Sequence, residues 1–261
     1  QTAFKLKEDN YSGIDKNELS SDMIKIAATA LNIPWEIVFL PDSNMLVTER
    51  SGNLLKIGRD NIKIPIQNVY HTGEGGLLGM ALHPDFESYN KIYLYMTSKQ
   101  GDNTINKVEQ YTLSGNSITN RKTILDNIPG SSFHDGGRIA FGPDKLIYIT
   151  TGDAGNSDSS QDKNSLAGKI LRLNDDGSIP AANPFSNAIY SYGHRNPQGI
   201  AWDNAGRLWS TEHGRSGVQS GLDEVNLIEP GKNYGWPVIE GDESNPGTMQ
   251  PIIHSGSDIT W

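Results

Sequence analysis

Cysteine is absent from all 261 residues, which excludes disulfides and thiolate metal centres. That absence does not fix a compartment, and it is compatible with an exported protein. No apolar run approaches the ~20 residues that a membrane-spanning helix needs. Positive charge is also short: 22 Lys and Arg face 31 Asp and Glu, a net charge of −9. The acidity argues against a general nucleic-acid role, whereas cation binding and simple surface solubility both suit it. The Gly-x-Ser-x-Gly elbow, the His-Glu-x-x-His pair and the Gly-x-x-x-x-Gly-Lys phosphate loop do not occur. The six histidines are dispersed and show no zinc spacing. No long amphipathic helix pattern is found. Gln1, not methionine, opens the chain, so the expectation is a processed N-terminus and export to the periplasm, cell surface or medium.

What is present is a β-rich pattern with turns. Hydrophobic residues make up 35%, and 28 Gly and 13 Pro punctuate short apolar runs. Residues 1–22 read as a polar extension, and the sequon at Asn10 reads as chance. Met23 to Leu31 fits a short strand or a helix equally well. From there to the end, 23–261, the chain reads as one domain. An apolar strand, a turn and a second strand ending in Thr or Ser recur. They run Pro34–Asp42 with Met45–Arg50, Gly79–Asp85 with Ile92–Thr97, Gly137–Asp144 with Leu146–Thr151, and Gln198–Asp203 with Arg207–Thr211. The turn aspartates fall at 42, 85, 144 and 203, spacings of 43, 59 and 59, as in propeller blades. Further strands are expected at Leu54–Ile57, Lys107–Leu113 and Lys169–Leu173, the last followed by a hairpin turn at Asn174–Gly177. Ile252 to Trp261 reads as the beginning of a new apolar strand. The fold class expected is all-β, a β-propeller of about four blades. An irregular β-sandwich is the alternative.

Four loops next to the repeated strands carry unusual residues. Thr72-Gly-Glu-Gly-Gly-Leu-Leu-Gly79 is either a tight turn or a seat that puts Glu74 at the propeller axis. Its glycines would let the backbone pass close to a flat ligand. His134, before Gly-Gly, is either a plain loop histidine or a base suited to taking a proton from a hydroxyl. Asp153, at the far end of that hairpin, could orient the imidazole. Ser191-Tyr-Gly-His-Arg-Asn-Pro-Gln-Gly199 offers Arg195 and Asn196 to an anionic partner, or holds a salt bridge between blades. Thr211 to Asn226 is glycine-rich and ends in paired acids, the kind of oxygen donors calcium prefers, without EF-hand spacing.

Together these loops resemble the glucose/sorbosone dehydrogenase family, the soluble pyrroloquinoline quinone (PQQ)-dependent glucose and aldose sugar dehydrogenases. The motifs are Gly-Glu-Gly-Gly-Leu-Leu-Gly, His-x-Gly-Gly-Arg-x-x-Phe-Gly-Pro-Asp, Tyr-Gly-His-Arg-Asn-Pro-Gln-Gly, and Asn-Tyr-Gly-Trp-Pro at 233–237. Glu74, and Phe133 before the histidine, place it nearer the aldose sugar branch. The resemblance implies a six-bladed β-propeller, of which this chain covers about four blades, the C-terminal ones lying beyond its end. It implies oxidation of an aldose C1 hydroxyl to a lactone by hydride transfer to PQQ, with electrons passing to an external acceptor. His134 would be the base, Asp153 its orienter and Arg195 the stabiliser of charge on the quinone oxygen. Glu74 and Asn196 would line the cofactor site. The carbonyls of Gly214 and Arg215 would hold a calcium ion bridging to PQQ. Glu224 and the carbonyl of Tyr234 would hold a second, structural calcium. No counterpart is found for the basic residues that grip the PQQ carboxylates in the family. The other reading is a non-catalytic propeller fragment that binds carbohydrate or a protein partner.

Overall fold

The computed structural model describes residues 26–59, 61–216 and 220–256. The extension, its sequon and its boundary after residue 22 lie outside them. The chain divides into two compact units, Gln1–Leu31 and Asn32–Trp261. Of the first, only residues 26–31 are described, and they form neither strand nor helix. The ambiguity at Met23–Leu31 is thus decided against both for its described part.

The second unit is all-β and has four blades. Each blade is a four-stranded antiparallel sheet whose strands follow chain order. The first holds β1 (Pro34–Phe39), β2 (Met45–Glu49), β3 (Asn53–Ile57) and β4 (Ile62–Pro65). The second holds β5 (Leu77–Leu82), β6 (Lys91–Gln100), β7 (Asn103–Ser114) and β8 (Ser117–Pro129). The third holds β9 (Ile139–Phe141), β10 (Ile147–Thr151), β11 (Lys169–Leu173) and β12 (Ile189–Tyr192). The fourth holds β13 (Pro197–Trp202), β14 (Leu208–Glu212), β15 (Glu224–Ile228) and β16 (Ile253–His254). The first strands are the inner ones: β1 packs on β5, β5 on β9, and β9 on β13. The β-sandwich alternative is excluded.

Three of the four turn aspartates do the same local job. The Asp42 carboxylate accepts the Asn44 N–H (3.1 Å), Asp144 that of Leu146 (3.2 Å) and Asp203 that of Ala205 (2.9 Å). Each is an Asx turn, in which the side chain replaces the backbone acceptor and tightens the reversal. Asp85 departs from the pattern. It precedes a four-residue helix, Phe86–Tyr89, so the second blade's turn is longer than the repeat suggests. The Asn174–Gly177 turn forms, with Gly177 N–H bonded to Asn174 O, but it opens a long excursion before β12. Ile253 and His254 begin no new blade; they pair with Val225 and Glu224 and finish the fourth. Their apolar character suited a strand, but sequence alone could not say which sheet it joined.

Hydrophobic cores lie between neighbouring blades. Ile92, Leu94 and Met96 of β6 face the first blade, with Leu46, Leu54 and Leu77. Tyr93 and Tyr95, one residue out of phase, face the third, with Ile139, Ile149 and Leu171. A strand buried on both faces reads as a continuous apolar run, because both side-chain sets need cover. Tyr148, Ile170, Tyr190, Leu208 and Ile228 fill the junction of the third and fourth blades. Each such aliphatic side chain contributes about 1.5–3 kcal/mol on burial. Close approach of inner strands also selects glycine: a Cβ on Gly79 would lie 2.1 Å from Gly137 O. The inner strands line a cavity of about 590 Å³, with Glu36, Met80, Arg138 and Ile200 on its walls.

Candidate active site

The loops that lead into and out of the inner strands meet on one side of the blades. His134 sits just before β9, and Asp153 follows β10 across a glycine. A Cβ at Gly152 would lie 1.9 Å from His134 O, so only glycine lets the two ends of this hairpin close. His134 Nδ1 is 2.8 Å from Asp153 Oδ1. The Gly155 N–H (2.8 Å) donates to the same oxygen, and Trp236 Nε1–H (2.9 Å) donates to Oδ2. Burial pushes the Asp153 carboxyl up, but the bonds from His134 and Gly155, the imidazole charge and the Trp236 bond outweigh it and hold it below its ordinary range. The carboxylate thus stays ionised and keeps a proton on Nδ1, which leaves Nε2 free as the basic nitrogen.

His134 itself adopts a left-handed backbone, φ 56°. That conformation costs a non-glycine residue about 1–2 kcal/mol and persists only where the surroundings impose it. Here its N–H donates to Glu74 Oε2 (2.8 Å), and its carbonyl accepts the Ala154 N–H (3.2 Å). Glu74 N–H in turn donates to Ser132 O (2.8 Å). Arg50 bonds the carbonyl of Gly73 in the same loop. The glycine-rich stretch is therefore both a tight turn, with Gly75 N–H on Thr72 O (2.8 Å), and a part of this site.

Arg195 and Asn196 join from the β12–β13 loop, which is shorter than the sequence motif suggests because Ser191 and Tyr192 belong to β12 and Pro197 to β13. Asn196 Oδ1 accepts the Gly136 N–H (3.0 Å), and Asp153 N–H donates to Arg195 O (2.8 Å). The Arg195 side chain is buried, its guanidinium 5.4 Å from the Trp236 ring centre, and its Nε has no partner. Glu212 organises this loop from below. Its Oε1 accepts Arg195 N–H, and its Oε2 lies 2.8 Å from His194 Nδ1. His194 Nε2 reaches Ser191 Oγ at 2.8 Å. Ser191, His194 and Glu212 have the connectivity of a hydrolytic triad, but they are buried and act as support.

Beside Arg195 is a small cavity of about 20 Å³, room for one ion or water. Glu212, Gly214, Glu224, Tyr234 and Glu240 are among its walls. Glu212 and Glu224 are directly paired across β14 and β15. Burial, and then the Glu212 charge, push the Glu224 carboxyl up to about 7. Gly214 N–H is held by Asp223 Oδ1 (2.8 Å). The Arg215 carbonyl accepts the Gly221 N–H (3.1 Å), and its guanidinium lies 3.5 Å from Glu240 with Nε unpartnered. Among the described residues, no three His, Cys, Asp or Glu side chains converge as a metal centre. Glu212, Glu224 and Glu240 give the cavity a carboxylate lining, the donor chemistry that suits a hard cation such as calcium.

The structure thus brings Glu74, His134, Asp153, Arg195 and Asn196 into one cluster, with Gly214, Glu224 and Tyr234 around the adjoining cavity. Sequence reasoning missed Trp236, Glu212 and Asp135. Trp236 lay in a quoted motif and Glu212 inside the candidate loop Thr211–Asn226, yet nothing local signalled their contacts.

A family model for glucose/sorbosone dehydrogenase matches residues 31–258. The chain belongs to the glucose/sorbosone dehydrogenase family. Among its relatives, aldose sugar dehydrogenase YliI of Escherichia coli is 37% identical over 82% of this chain and 62% of its own length. Quinoprotein glucose dehydrogenase B of Acinetobacter calcoaceticus is 33% identical over 85% of this chain and 54% of its own. The PQQ-bound form of aldose sugar dehydrogenase from Streptomyces coelicolor has a TM-score of 0.81 at 39% identity, covering 88% of this chain and 70% of that one. The match covers between 54% and 62% of the length of three curated relatives, these two among them. These relatives are named as sugar dehydrogenases, one of them as a quinoprotein.

Proposed function

We propose that this chain carries the base and the cation seat of a PQQ- and calcium-dependent aldose dehydrogenase, which oxidises the C1 hydroxyl of a sugar to a lactone. The observation that carries the reading is the 2.8 Å contact of His134 with Asp153, in one cluster with the unpartnered Arg195 Nε.

The residues fit the groups the family implies. Arg195 offers a buried cation with a free donor, suited to an oxygen that gains charge. Glu224 and the carbonyl of Tyr234 would hold a structural calcium beside Glu212, where a divalent ion would relieve the repulsion between the two carboxylates, and the carbonyls of Gly214 and Arg215 would hold a second calcium on the cofactor side. Glu74 and Asn196 would line the cofactor site. PQQ, when bound, supplies the two-electron acceptor for the C1 hydride, and calcium supplies a Lewis acid. His134 Nε2 takes the hydroxyl proton as the C1–H bond breaks, so that two electrons and two protons leave the sugar and the lactone carbonyl forms. Asp153 holds Nδ1–H and stabilises the imidazolium. An external acceptor then removes the electrons, and export is part of the same reading, compatible with a cysteine-free chain.

The test is reconstitution with PQQ and calcium, followed by dye reduction with a panel of aldoses. The expected result is sugar-dependent turnover that falls at least 100-fold in His134→Ala. A folded protein that binds no PQQ, by absorbance titration, overturns the proposal for this chain.

A further inference from the structure

Trp236 is tied down from both sides of its backbone. Its N–H donates to Gly193 O (2.9 Å), and its carbonyl accepts Gln161 Nε2–H (2.6 Å). Gln161 is itself locked to Asn233 by a reciprocal pair of bonds at 3.1 and 2.8 Å. The indole projects from this anchored loop, which follows β15, back to the end of β10 in the third blade. There its Nε1–H meets Asp153 Oδ2 at 2.9 Å, while its ring lies 5.4 Å from the Arg195 guanidinium. One rigid side chain therefore touches the orienter of the base and carries the cation. Without it, Oδ2 of Asp153 would lose that donor, and the carboxylate would be held at Oδ1 alone, by His134 and the Gly155 N–H. Arg195 would lose an aromatic face that compensates part of its desolvation.

We propose that Trp236 is a positioning residue for the sugar oxidation, a strut that holds Asp153 and Arg195 in fixed relation so that His134 and the cation address one substrate. The inference rests on the quinoprotein reading above. It adds that the strut has two separable parts, an N–H for the carboxylate and a ring for the guanidinium.

Trp236→Phe keeps the ring and removes the donor. The expected result in the reconstituted enzyme is a kcat about 10-fold lower, a KM within about 3-fold, and an acid limb of the pH–rate profile moved to higher pH. A purely structural role would lower the fraction of active enzyme without moving that limb. The cofactor-free protein gives an independent readout in ¹⁵N NMR. The Trp236 indole N–H, one of five in the chain, is expected to exchange at least 10-fold more slowly than an exposed indole and to titrate together with Asp153. Its resonance is expected to shift in Asp153→Asn. Two results overturn the proposal: an indole that exchanges freely and ignores Asp153→Asn, or a folded Trp236→Phe with an unchanged acid limb. If PQQ fails to bind while the indole behaves as expected, the cofactor reading falls and the strut stands. Should Trp236→Phe not fold, the indole measurements on the parent chain decide alone.

Discussion

Asp135 stands next to the proposed base and is almost fully buried, 1% exposed. Its Oδ1 accepts Asn106 Nδ2–H (2.9 Å) and Ser131 N–H (3.0 Å), but Oδ2 has no partner. Burial pushes its carboxyl up from 3.8 to about 6, and the negative Glu74 adds to the effect. The folded value exceeds the unfolded one, so the native state keeps a proton that the unfolded chain has lost. The stability from this group is therefore complete below about pH 4 and lost as pH rises through about 6. Asp135→Asn cannot ionise. It is expected to be more stable than the parent at pH 7, by up to about 3 kcal/mol, with the advantage vanishing below pH 4. Urea unfolding at four pH values between 3.5 and 7 checks this, and a difference independent of pH would refute it. Nothing in the sequence marked Asp135, because its surroundings come from the second blade: Asn106 bonds Oδ1, and a Cβ on Gly75 would lie 3.0 Å from Oδ2. His134 and Asp153 were legible because a short hairpin joins them. The Glu74 bond to His134 N–H was not, since it spans 60 residues and relies on a left-handed backbone.

At the scale of the element, the repeat and the apolar runs located β1 to β3, β5 to β7, β9 to β11, β13 and β14, whose turns carry Asp, Gly or Asn. The strands β4, β8, β12 and β15 were harder to see, β12 and β15 because they run into stretches that read as loops. They are polar, short or both, and owe their existence to pairing with a formed neighbour. Lys169 shows the limit of pattern reading. It looks like the solvated end of a strand, yet it is fully buried. Its Nζ donates to Ser159 O (2.8 Å), Ser160 O (3.1 Å) and Ala167 O (2.5 Å). The ammonium knots the loop between β10 and β11, and Ser160 Oγ passes the restraint on to His194 O (2.7 Å). Lys169→Met keeps the stem and removes the donors, leaving three carbonyls without them. Each unpaired buried group costs about 1–3 kcal/mol, so a loss of about 3 kcal/mol or more is expected. The cleavage sites in limited proteolysis should then concentrate between residues 156 and 166. A variant as stable and as resistant as the parent would show that the loop does not depend on the knot.

For the molecule as a whole, blades pack mainly on their neighbours, so contacts that reach further set how far the second unit unfolds as one. Arg138, just before β9, makes such contacts. It pairs with Glu36 of β1, donates from Nε to Gln198 O of β13 (2.8 Å), and lies 4.2 Å from the Trp35 ring. Three blades are thereby tied around the axial cavity by one half-buried guanidinium. Arg suits the place better than Lys, since its planar fork can serve a carboxylate and a carbonyl at once while stacking on an indole. The repeat made the blades legible, but it could not reveal this link: Glu36 and Arg138 hold the same place, six residues before the turn aspartates Asp42 and Asp144, and a repeat shows which positions correspond, not which of them meet across blades. Arg138→Met removes the charge and leaves Glu36 facing an apolar wall. A destabilisation of about 2–4 kcal/mol is expected, with a broader urea transition as the first blade separates from the others. Glu36→Gln alone should cost less, because the amide oxygen still accepts from the guanidinium. In a double-mutant cycle the two substitutions should couple by about 1–3 kcal/mol. Additive effects together with an unchanged transition width would mean that neighbouring blade contacts alone carry the cooperativity.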